Sequence, residues 1–195
     1  MLCGLISVAF AHAEQISLDA LVAAYPDFLA SHDGQVLIWK DGTRMPVSDG
    51  KSNKTFDDKL RHASILDQLS IRYVRGPLEK GSGPQDDPGR FRNVAFFDKM
   101  YGDCSKRQVQ RRLTKVPWLP KSGGGFVQIT TVNGVADRLR EISAELDALP
   151  PEVKKFAFPS AGMCKCRTVK DTGVRSMHAW PAAIDVNTKF ADYWL

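Results

Sequence analysis

A chain of 195 residues that is 43% apolar and 25% charged has the composition of a folded globular protein, and is neither fibrous nor disordered in character. Its formal charge of +5 favours acidic partners: an anionic envelope polymer, a membrane surface or nucleic acid. Only KRQVQRR at Lys106–Arg112 concentrates that charge. No zinc-finger spacing, basic heptad or RNA-binding aromatic signature accompanies it, which argues against nucleic acid.

The chain opens with MLCGLISVAFAHA, an apolar run ending in small residues at Ala-x-Ala spacing. Residues 1–13 read as a secretory signal peptide cut before Glu14, although the usual positive n-region is missing. The run is too short to span a bilayer, and no later segment is long and apolar enough, so no transmembrane segment is expected. Export would leave Cys104, Cys164 and Cys166 in an oxidising compartment. There Cys104 is expected to bridge to Cys164 or to Cys166, with the choice left open. The CKC spacing is not the redox C-x-x-C pattern, and one nearby histidine is a poor basis for a Cys/His zinc cluster.

SLDALVAAYPDFLA predicts a short helix that Pro26 interrupts or restarts. QVLIW and RMPV flank the turn residues KDGT and predict a β-hairpin. TFDDKLRHASILDQL predicts a helix capped by Thr55, with Asp58 three places on. In it Leu60, Ala63, Leu66 and Leu69 recur at helical spacing, and His62 falls on the solvated side. Residues 76–90, rich in Gly and Pro, read as a surface loop. SGGG before FVQITT is no P-loop, because a strand and not a helix follows the glycines. Val135, Leu139, Ile142, Leu146 and Leu149 predict a long helix, capped by Asn133 and stopped by Pro150-Pro151. A short strand, 182–186, is expected to carry Asp185. Strands on both sides of a long helix make the class α+β, an antiparallel sheet with flanking helices.

The chemistry concentrates near the end, in RTVKDTGVRSMHAWPAAIDVN. A carboxylate between Ile184 and Val186 is costly to bury without a cation or hydrogen-bond donors. His178 lies seven residues earlier, across a bend containing Pro181. A neutral imidazole and a carboxylate suit Zn²⁺; a structural Asp–His or Asp–Arg pair is the other reading of the same spacing.

Ser176-x-His178, Ala183 and Asp185 together resemble the Ser-x-His-x-x-Gly-x-Ala-x-Asp motif of the zinc D-Ala-D-Ala carboxypeptidase family. That family includes VanY-like carboxypeptidases and L-alanyl-D-glutamate endopeptidases. The helix VNGVADRLREISAELDALP and the segment DPGRFRNVAFFDKMYG are similar to its periplasmic or secreted branch.

The resemblance implies the hedgehog-type α+β fold and a zinc-dependent hydrolase that acts on peptidoglycan stem peptides in the periplasm or outside the cell. It divides the chain into a segment 14–125 with the hairpin, helix and long loop, and a metallopeptidase core 126–195. It casts His178 and Asp185 as zinc ligands, Arg167 as the catalytic arginine that binds the substrate carbonyl and developing oxyanion, and Ser176 as a group that orients the loop. Two departures stand out. Pro181 occupies the motif's glycine position, and no residue matches the family's third ligand and general base, which lie beyond KFADYWL. The sequence thus reads as a C-terminally truncated peptidase, its last strands missing. The alternative is an inactive protein that binds the cell wall; a thiol-disulfide role for Cys164 and Cys166 is a weaker third reading.

Overall fold

The computed structural model describes residues 17–71, 89–161, 164–170 and 172–191. The expected signal peptide and most of the expected loop at 76–90 lie outside these residues. The architecture is mixed α+β with two small antiparallel sheets.

Helix α1 (Leu18–Ala24) starts where the Ser17 side chain accepts a hydrogen bond from the Ala20 amide, and it ends just before Pro26. The chain then forms a three-stranded meander of β1 (Leu29–His32), β2 (Val36–Trp39) and β3 (Arg44–Pro46). The expected hairpin is β2–β3, with Leu37 opposite Met45. Its turn is fixed by Gly42 at φ 81° and by Asp41, whose carboxylate accepts from the Thr43 amide. A hydrogen bond from the Lys99 ammonium, reinforced by the Thr43 amide, holds the Asp41 carboxyl at about 2.

The helix expected from Thr55 to Leu69 is in fact two, α2 (Phe56–Arg61) and α3 (Ile65–Gln68). The cause is a second capping box. Ser64 and Asp67 satisfy each other's backbone amides just as Thr55 and Asp58 do, and a strong N-cap inside a helical pattern restarts the helix. The new axis leaves Leu66 43% exposed while Leu60 and Leu69 stay buried. His62 is exposed at the end of α2.

Helix α4 (Val94–Tyr101) is capped by Asn93 and drives Phe96 and Met100 into the main core. There they meet Leu37, Trp39, Ile65, Val132 and Trp180. The second sheet pairs β4 (Leu113–Pro117) with β5 (Phe126–Thr130), Pro117 opposite Phe126. Its connecting loop explains the three glycines. Gly123 and Gly125 have φ of 77° and 75°, and a Cβ on Gly124 would sit 2.0 Å from the Trp118 carbonyl oxygen. Only glycine fits such a turn.

Helix α5 (Val135–Asp147) is covered by this second sheet and ends before α6 (Pro151–Lys154). Asn133 does not cap it. Asn133 and Gly134 both adopt left-handed backbone, φ 55° and 69°, in a 3₁₀ turn that leads straight into the helix. The apolar stripe is only partly inward: Leu139 and Leu146 pack on the sheet, whereas Ile142 is 48% and Leu149 38% exposed. Polar residues complete the contact. Ser143 donates to the Pro117 carbonyl and accepts from the Leu119 amide, and Asp147 accepts from the Lys121 amide and the Ser122 hydroxyl. Hydrogen bonds made by buried groups are specific because leaving them unmade costs more than making them gains.

Residues 182–186 form no strand. Ile184 packs against the second sheet's core, but the segment has isolated bonds in place of a ladder: the Ala182 amide donates to the Met177 carbonyl, and the Asp185 carbonyl accepts from the Ala161 amide. Among the described residues no helix is long and apolar enough to cross a membrane.

A buried cation ties the α2–α3 corner to the preceding loop. The Lys54 side chain is 5% exposed and its ammonium lies 2.6 Å from both Asp49 and Asp67. Burial alone would raise the Asp67 pKa, but hydrogen bonds from Lys54 and Ser64 hold it below the usual carboxylate value. The Lys54 hydrogen bond does the same for Asp49. Carboxyls depressed in the folded state contribute stability that is present above the unfolded value, about 3.9, and lost as pH falls through the folded values. Denaturant midpoints measured from pH 6 to pH 2 should therefore fall below about pH 4. In Lys54→Met that acid-side slope should be shallower.

Candidate functional site

The candidate site is built on an irregular hairpin. Lys165 donates its amide to the His178 carbonyl, Ser176 to Arg167 and Val169 to Val174, and Thr168 bridges Arg175. Residues 165–169 and 174–178 therefore run antiparallel in one continuous register, with Gly173 at φ 67° in the connecting turn. The hairpin sets Arg167 opposite Ser176, and Lys165 opposite His178.

After Ser176 the chain bends into a 3₁₀ turn, Met177–Ala179. The Ser176 hydroxyl is buried and accepts from the His178 amide at 3.4 Å. His178 is itself 8% exposed. Two anchors fix the segment after the turn. Trp180 is fully buried, stacks on Phe97 at 4.7 Å and donates its indole N–H to Asp98 Oδ1 at 2.7 Å. The Thr130 amide, at the end of β5, donates to the Pro181 carbonyl at 2.8 Å. Asp98 also receives Arg175 Nη1, which reaches Asp103 at 3.1 Å as well.

Beyond Pro181 the chain returns. Asn187 donates its side-chain amide to the Lys155 and Phe158 carbonyls, both at 2.7 Å, and the Asp185 carbonyl accepts from the Ala161 amide. The outcome is convergence: His178 Nε2 lies 3.2 Å from Asp185 Oδ1, with the imidazole buried and the carboxylate about half exposed.

Two donors bound at 2.0–2.1 Å to a tetrahedral zinc ion are about 3.3 Å apart. The separation of the pair thus suits two neighbouring corners of one ion, and the donor types suit zinc. The fit is limited to those two corners. Among the described residues no group of three His, Cys, Asp or Glu side chains comes together. His178 Nδ1 is buried without a hydrogen-bond partner among the described residues, whereas a zinc-bound imidazole ordinarily donates its second N–H to a carboxylate, carbonyl or water. His32 pairs instead with Asp19, at 2.9 Å, far along the chain from His178.

The other expected residues stand apart from the pair. Arg167 is exposed and joins the hairpin through its backbone carbonyl; no ion pair ties its guanidinium to another described residue. Cys104 is bonded to Cys166, Cα atoms 5.6 Å apart, which leaves Cys164 free. The disulfide spans 62 residues, and closing a loop of that size in the unfolded chain is worth about 4 kcal/mol. Asp98 and Arg175 are not singled out by any sequence pattern above. The sign that could have found Asp98 is its place in FFDKMYG, an acid amid aromatics on a helix that must bury them.

Pro181 has φ of 22°. The proline ring favours φ near −65°, whereas glycine takes positive φ freely. The bend therefore places a left-handed backbone at a residue whose ring disfavours it.

The chain matches no protein-family model, and comparison with curated proteins and with solved structures gives no significant match.

Proposed function

We propose that this chain is of the zinc peptidase type that hydrolyses peptidoglycan stem peptides outside the cytoplasm, with the hedgehog-type fold, and that His178 and Asp185 are its metal ligands. The observation that carries the reading is the 3.2 Å convergence of His178 Nε2 and Asp185 Oδ1. When bound, zinc would supply Lewis-acid polarisation of the scissile carbonyl and a water acidified towards neutrality.

The chain's own residues do the rest. Ser176 fixes the turn that presents the imidazole. Arg167, exposed on the adjoining arm, is free to meet a carbonyl oxygen as negative charge develops on it, the role of a cation in an oxyanion site. The Asp98 anchor keeps Trp180, and so the imidazole, from shifting.

A second reading rests on a specific observation. With two donors brought together among the described residues, zinc is held weakly and has no fixed base beside it. On that reading the protein binds wall peptides without cutting them.

The deciding assay incubates the full chain with purified muropeptides, with and without added Zn²⁺, and tracks products and complexes by mass spectrometry and equilibrium binding. The peptidase reading predicts zinc-dependent release of amino acid or peptide. His178→Ala should reduce it by more than the roughly 10–100-fold that loss of an outer-shell partner costs, and Arg167→Ala by roughly 10²–10³-fold. Binding without hydrolysis selects the second reading, and absence of both sinks the two together.

A further inference from the structure

The free cysteine packs against the same cluster as one sulfur of the disulfide. Cys104 is 7% exposed in a cluster with Val109 and Ala179, and the partly buried Cys164 packs against that same cluster. Cys166, the present partner of Cys104, lies at the surface. Cys164 and Cys166 belong to, or directly precede, the hairpin arm whose odd-numbered residues, Lys165, Arg167 and Val169, make the backbone bonds to the opposite arm. Along an extended chain residues two apart project to the same side. A C-x-C pair on such an arm therefore offers two sulfurs to one fixed partner, something C-x-x-C does not do.

We infer that the Cys104–Cys166 disulfide and the Cys164 thiol form an intramolecular exchange site, with Cys164 the resident nucleophile and Cys104–Cys164 an alternative pairing of the folded protein. The step balances within the chain. The Cys164 thiolate attacks Cys104 Sγ and forms the new S–S bond as the Cys104–Cys166 bond breaks. Cys166 then leaves as a thiolate and takes up the proton that Cys164 gave up. One disulfide and one thiol remain, so no oxidant or reductant is consumed. Burial raises the Cys164 pKa, so little thiolate exists near neutrality and exchange is slow there.

The geometry gives the exchange a consequence. The tie moves two residues along the arm, and Lys165, which lies between the two cysteines, donates the hydrogen bond to the His178 carbonyl. Arg167 is the next residue after Cys166. One pairing fixes the arm immediately beside Arg167, and the other fixes it three residues away. The exchange therefore changes how firmly Arg167 and the His178 backbone are held, and it does so whether or not the pair binds zinc.

The test uses the full chain carrying Cys3→Ser, so that the only other cysteine is absent. The protein is held without reductant at pH 8.5, quenched in acid, unfolded, alkylated and mapped by mass spectrometry. A urea-unfolded sample, free to scramble, serves as the reference in which every pairing appears. In the folded protein Cys164 should carry most of the label and Cys166 a reproducible minority, at a ratio independent of protein concentration. Cys166→Ser should form the Cys104–Cys164 bond and leave no free thiol. Label on Cys164 alone in the folded protein, over a time in which the unfolded reference scrambles, would overturn the inference. So would a Cys166→Ser protein in which Cys104 and Cys164 both stay reduced under air.

Discussion

One carboxylate holds the site to the fold. Asp98, on α4, accepts the indole N–H of Trp180 and the guanidinium of Arg175, so the two ends of the turn that carries His178 are both moored to a helix of the main core. The charge-assisted bonds and the ring stack of Trp180 on Phe97 act together. Hydrogen bonds to a charged group contribute about 1.5–3 kcal/mol each, and stacking adds to the burial of two large rings. This mooring adds to the short hairpin register, the Thr130 bond to β5, the Arg175–Asp103 pair and the packing of Ala179 against Cys104 and Val109, which also define residues 174–181. Asp98 is itself placed by the aromatic face of α4, whose Phe96 and Met100 fill the centre of the core. The position of a candidate ligand is thus set by hydrophobic packing on a different element, through a single shared acceptor.

That dependence explains what could be read from the sequence and what could not. Local patterns were legible where local physics decides: the Thr55 cap, the KDGT turn of the hairpin, the stop at Pro150-Pro151 and the strand after the glycines. The helix from Thr55 was misjudged because apolar spacing continues through Ser64 while the capping chemistry does not. Asn133 failed as a cap because the preceding turn uses its tolerance of left-handed backbone instead of its side chain. Residues 182–186 look like a strand in isolation, yet there is no neighbouring strand in the described structure for them to pair with. The pairing made by Asp98 was illegible for a different reason: FFDKMYG marks the acid, but its bond to Trp180 crosses 82 positions of sequence, and nothing in either segment names the other.

On the reading proposed above, the His178–Asp185 pair supplies two of the donors a metal centre needs. Its two donors converge at a distance that suits a shared cation, and the bend between them keeps a glycine-like backbone despite Pro181. The Trp180 mooring on one side and the Thr130 and Asn187 bonds on the other define that bend. The Nδ1 of His178 has no hydrogen-bond partner among the described residues, so the pair is placed by backbone bonds and by the Asp185 contact.

The most direct measurement of that claim is nitrogen-15 NMR of the histidine rings during a zinc titration of the full chain. If the pair is a metal site, His178 Nε2 shifts with zinc and takes the signature of a metal-bound nitrogen, Asp185→Asn weakens the response, and His32 and His62 stay unmoved. Zinc that perturbs His32 or His62 and leaves His178 unchanged would contradict it, and the contact between His178 and Asp185 would then be a structural pair only.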